Sequence, residues 1–153
     1  MDKEIKNMLD DLQIQQYNQV YKEGQKALSK INVARAAWEE NQQLAQTIIE
    51  QANITRDIVS HYVGQGSELP DTLVEKIKGL DFKLGEVEQR IIQKCSNYCS
   101  ALMTESIHVT SLWESSKTIT NSETAICGKI GADIRQVRQK IAQCVGFNPS
   151  IFE

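Results

Sequence analysis

The sequence predicts an all-α protein: an elongated antiparallel helical bundle of three to four helices with a long protruding coiled-coil hairpin. Three observations carry that expectation. Only two prolines, Pro70 and Pro149, interrupt the 153 residues, and before and between them apolar residues recur every three or four positions, the spacing of one helical face. Leu73, Ile77, Leu80, Leu84, Val87 and Ile91 step by 4, 3, 4, 3 and 4, a heptad seam held for almost three repeats. The composition, rich in Gln at fifteen residues and close to globular averages at 41% hydrophobic and 24% charged, suits helices and leaves no room for long disorder. A chain of this length is expected to form one domain, residues 1–153.

The elements follow in order as helices of about 2–22, 25–63, 70–118 and 122–145. Ile5, Met8, Leu9 and Leu12 form a first stripe that is out of phase with the next one. The fault near Asn18 to Gly24 is either a tight turn or a kink in one helix of about 60 residues. The second stripe runs through Val20, Leu28, Ile31, Trp38, Ala45, Ile48, Ala52, Val59 and Tyr62, and Gly64-Gln65-Gly66-Ser67 ends it in a turn. After Pro70 the heptad seam continues with one phase slip through Cys95, Tyr98, Leu102, Val109, Leu112 and Ile119, giving a helix about 70 Å long. Thr120-Asn121-Ser122-Glu123 has the form of a capping box, in which a hydroxyl and a Glu three residues later satisfy free backbone N–H groups. Ile126, Ile130, Ile134, Val137, Ile141 and Val145 then give the last helix one apolar stripe, closed by Gly146 and Asn148-Pro149.

Chain reversals near residues 66 and 120 set Trp38 near Cys95, Leu28 near Thr104 and Glu105, and the last helix against 95–118, the part almost free of charge. The expected shape is a thick base holding Trp38, Leu102, Val109, Leu112, Ile130, Val137 and Ile141, with the charged 75–94 in a thinner, solvated hairpin.

Several function classes are disfavoured. Seventeen Lys and Arg against twenty Asp and Glu, with no run of five like charges, argue against nucleic acid as the main ligand. The least charged window, Ser96 to Trp113, is too polar for a membrane span, and residues 1–20 lack the apolar run of a signal peptide. A cytoplasmic location is expected, specialised secretion routes aside. Glycine-rich phosphate loops are missing, and His108 lies nine residues from Cys99, too far along a helix to serve as its base. Glu105 and His108 have the Glu-x-x-His spacing of di-iron bundles, but a single copy makes an ordinary bundle position the better reading. No enzyme activity and no cofactor are therefore expected.

Three candidate sites remain. Cys95 and Cys99 share a helix face, and a reversal near 120 brings Cys144 opposite residues 96–97, so the three could form a redox or soft-metal cluster. Buried cysteines acting as small hydrophobes are the competing account. The basic last helix, with Lys129, Arg135, Arg138 and Lys140 against Asp133, reads as a solvated face or, more weakly, a membrane-surface element. On the hairpin, Phe82 and Gly79 fall outside the seam and Gly85 follows them; with His61, Tyr62 and Leu69 at the tip they form a candidate partner-binding surface. The reading favoured is a non-enzymatic interaction protein: a scaffold or adaptor subunit, or a microbial effector or inhibitor, that binds a protein partner or itself through helix packing.

Overall fold

A computed structural model describes residues 2–144 as helices joined by short connections, with no strand among them. Helix α1, Asp2–Gly64, is continuous for 63 residues and so about 95 Å long, which resolves the fault near Asn18 to Gly24 as neither turn nor break. The expected helices 2–22 and 25–63 are therefore one. The tip follows the sequence closely: Gly66 has φ 68, the left-handed conformation that favours glycine, and Ser67 N–H donates to Tyr62 O at 3.1 Å. Pro70, which has no N–H to leave unpaired, precedes α2, Asp71–Glu105.

The expected helix 70–118 is shorter than its stripe. After Glu105 the chain tightens into a 3-10 turn, Ser106–His108, and Val109 is extended at φ −126, ψ 95. A single turn of helix, α3, Thr110–Trp113, leads into α4, Ser116–Cys144. The β-branched residues Ile107, Val109 and Thr110 weaken the helix there without marking a stop as glycine or proline would. The expected start at 120–123 is likewise superseded, because α4 already runs through it: Glu123 accepts a hydrogen bond from the Trp38 indole at 2.6 Å, and Thr120 Oγ1 is buried without a partner. The expected stop beyond Cys144 lies outside the described residues.

Cross-helix bonds fix the register. Lys30 with Glu105 and Arg35 with Tyr98 run α1 antiparallel to α2, Arg138 with Asp81 runs α4 antiparallel to α2, and Trp38 with Glu123 sets α4 parallel to α1. Ile31, Trp38, Ala45, Ile48, Ala52 and Val59 of α1 meet Leu73, Ile77, Leu84, Ile91, Tyr98 and Leu102 of α2 and Ile130, Ile134, Val137 and Ile141 of α4 in one continuous core. Of the residues expected in the base, Val109 and Leu112 are half-buried and the rest are buried.

Because the second reversal lies near residue 109, α4 flanks the hairpin over most of its length, with Arg138 reaching Asp81. The thick base and thin arm are thus replaced by a three-helix bundle of nearly even thickness. What projects is the other end: every residue of α1 from 2 to 26 is exposed except the half-buried Gly24. The chain exposes 10467 Å², whereas a globular chain of 17.3 kDa exposes about 7,800 Å². Small-angle scattering should give a maximum dimension near the length of α1 and a radius of gyration well above the about 15 Å of a compact chain of this size. A spherical profile would contradict a continuous α1.

Candidate functional site

The N-terminal part of α1 emerges from the bundle at Gly24, where an added Cβ would come within 2.9 Å of His108 O, so the 3-10 turn packs on bare backbone there. Beyond it α1 has no neighbouring helix among the described residues, and Ile5, Met8, Leu9, Leu12, Ile14, Tyr17, Val20 and Tyr21 are all more than half exposed, Tyr17 to 71%. They fall on two faces. Ile14, Tyr17, Val20 and Tyr21 extend, at heptad spacing, the same seam that Ala27, Leu28 and Ile31 bury against the other helices. Ile5, Leu9 and Leu12 belong to a different face. The adjoining end of the bundle adds exposed Met103, Ile107 and Trp113. A helix apolar on more than one side is ordinarily buried, and an isolated stretch of about 25 residues is only marginally helical in water. This segment therefore has the composition of a bundle helix but no helix beside it among the described residues. The sequence shows the first stripe but not its exposure, since a stripe announces a neighbour without saying whose.

The hairpin surface is divided by α4. Phe82 is 68% exposed and Gly79 has open space around it, but Gly85 faces Arg138, whose guanidinium lies 3.5 Å from where a Cβ would stand. Ile49 is buried in the common core, whereas Ile54 is 60% exposed, and residues 2–22, themselves all exposed, do not cover Phe82. At the tip, His61 is exposed and packs edge-on against Tyr62 with ring centroids 6.2 Å apart, while Leu69 is half-buried against the core.

The cysteines meet in a different set from the expected one. Cys95 and Cys99 are 3.9 Å apart, and their third neighbour is Cys127, which lies against Ile91 O at 4.0 Å. Cys144 ends α4, seventeen residues farther on and so about 25 Å along the helix; its side chain lies outside the described residues. The cause is the earlier reversal, which shifts α4 along α2. Burial, and then Cys127 and Cys99, push the Cys95 thiol well above the ordinary range, so it stays protonated and is a poor nucleophile. No group of three His, Cys, Asp or Glu among the described residues is arranged to hold a metal ion. Glu105 instead lies 3.4 Å from Lys30, and His108 lies 4.0 Å from Glu23.

A raised thiol pKa makes the folded state hold a proton that the unfolded chain releases, so its stabilisation is complete below the ordinary thiol pKa of about 8.5 and declines above it. Under reducing conditions, melting should fall between pH 8 and 10 less steeply in Cys95→Ala than in the native chain. Equal slopes would contradict the burial of this thiol.

The basic character of α4 is partly answered inside the molecule. Arg138 binds Asp81 at 2.9 Å and Glu88 at 3.5 Å, and Arg135 lies 3.7 Å from Glu88. No helix among the described residues is long and apolar enough to cross a membrane. Comparison with protein-family models, curated proteins and solved structures finds no match to this chain.

Proposed function

We propose that the chain is a non-enzymatic interaction protein, a scaffold or adaptor subunit, whose docking element is residues 2–26 of α1. The observation that carries this reading is the free-standing half-helix with eight large apolar side chains more than half exposed. Scattered single apolar residues are normal on protein surfaces, but a contiguous set of this kind marks an interaction site. The three-helix core keeps the element at a fixed place and direction. A reducing, cytoplasmic setting agrees with thiols kept as core residues.

The test uses the full-length protein. Ile5→Glu, Leu9→Glu and Leu12→Glu combined should leave thermal melting of the bundle nearly unchanged, because these side chains touch no other helix. The variant should lose the proteins, or the second copy of itself, that the native chain captures from its natural source. Capture that is identical for both chains would remove this reading.

A further inference from the structure

Beside its core seam, α1 carries a second heptad series on an outer face: Ile5, Leu9, Leu12, Gln16, Gln19, Glu23, Lys26, Lys30, Val33, Ala37, Glu40 and Leu44, stepping by four and three throughout. Every one of its twelve residues except Ala37 is exposed, although Glu23 lies 4.0 Å from His108 and Lys30 lies 3.4 Å from Glu105. Val33 is 69% exposed, Ile5, Leu9, Leu12 and Leu44 are exposed, and Ala37 is half-buried. Within the bundle the series borders an open trough between α1 and α2, where Lys30 and Val33 face Lys94 and Asn97.

The series carries its apolar residues toward both ends, interrupted by Glu40 in the second, and is polar in the middle. Reversed end to end, it maps onto itself when paired residue numbers sum to 49. Ile5 then meets Leu44, Leu9 meets Glu40, Leu12 meets Ala37, Gln16 meets Val33, Gln19 meets Lys30, and Glu23 meets Lys26 twice about the centre. Self-complementarity of one patch about a two-fold axis is the condition for an isologous dimer. A parallel, in-register pair would set Glu23 against Glu23 and Lys26 against Lys26.

We infer that the partner of this docking element is a second copy of the chain, held by antiparallel pairing of the outer α1 stripe, residues 5–44, with Glu23 opposite the partner's Lys26 and Ile5 opposite the partner's Leu44. The inference rests on the reading of residues 2–26 as the docking element and names its occupant. The pairing is about 60 Å long and engages twelve positions on each copy, a scale suited to a specific interface.

Sedimentation of the purified full-length chain over a concentration series tests this. A monomer–dimer equilibrium is expected, weakened at least about a hundredfold by Leu12→Glu and unaffected by Phe82→Glu. Glu23→Lys and Lys26→Glu should each weaken the homodimer about tenfold, since two opposite-charge contacts become two like-charge contacts. Mixed together, those two variants should recover native affinity as a heterodimer; in a parallel register, where like charges already face each other, neither variant alone would weaken the homodimer. A purified chain that stays monomeric at all concentrations, a dimer indifferent to Leu12→Glu, or a mixture that recovers nothing would overturn the self-pairing. If capture of other proteins from the natural source still depends on Ile5, Leu9 and Leu12, only the identity of the partner is overturned; if that capture is also indifferent to them, the docking element itself is.

Discussion

Trp38→Ala is expected to cost about 3–5 kcal/mol of stability, the range for deleting a large aromatic side chain from a packed core. Trp38 is buried where all three long helices meet, and its indole N–H donates to the Glu123 carboxylate at 2.6 Å. Truncation opens a cavity, and it also leaves a half-buried carboxylate without its donor. Trp38→Phe separates the two effects, because it retains most of the apolar volume and loses the charged hydrogen bond, at a cost of about 1.5–3 kcal/mol. Urea unfolding with an unchanged slope gives both values. A loss below about 1 kcal/mol for Trp38→Ala would mean that α4 does not pack at this level of α1.

The same contact shows what the sequence makes legible. Trp38, Ile130, Val137 and Ile141 are readable as core because their spacing matches a helical face, and the tip is readable because Gly66 and Pro70 are local signals with local causes. The reversal at the base is different. Ser106 to Val109 holds no glycine or proline, and the apolar spacing runs on through Val109 and Leu112 as if the helix did. The chain turns there because α4 must return to the seam between α1 and α2, a tertiary cause that leaves little local trace. Placing that turn at 109 instead of 120 shifts α4 by about twenty residues along α2. That shift exchanges Cys144 for Cys127 in the thiol cluster and brings Arg138 to Asp81. The candidate docking surface was half legible. The stripe Ile5, Met8, Leu9 and Leu12 stands out by composition, but its solitude depends on where the other helices end.

Ile134→Asp tests that register directly and should be the most damaging single change in α4. Ile134 is 0% exposed, surrounded by the apolar stripes of α1 and α2, whereas Ile126, two turns earlier in the same helix, is 37% exposed. Helical spacing alone puts both on one stripe. In the observed register α4 faces inward strictly at Ile130, Ile134, Val137 and Ile141, so Ile126 lies toward its edge. A carboxylate at position 134 loses the burial of the isoleucine and sits among groups that offer it no hydrogen bond. It must either remain charged without a partner or take up a proton, and each route costs several kcal/mol. With total stability of a small domain at about 5–15 kcal/mol, Ile134→Asp should remove most of the cooperative melt at neutral pH. Partial recovery is expected as pH falls toward 4, where the new carboxyl takes up its proton. Ile126→Asp keeps its carboxylate in water and should cost about 1 kcal/mol or less. Circular dichroism melts of the two variants decide the matter: equal losses, or a larger loss for Ile126→Asp, would require α4 to be rotated about its axis from the packing described.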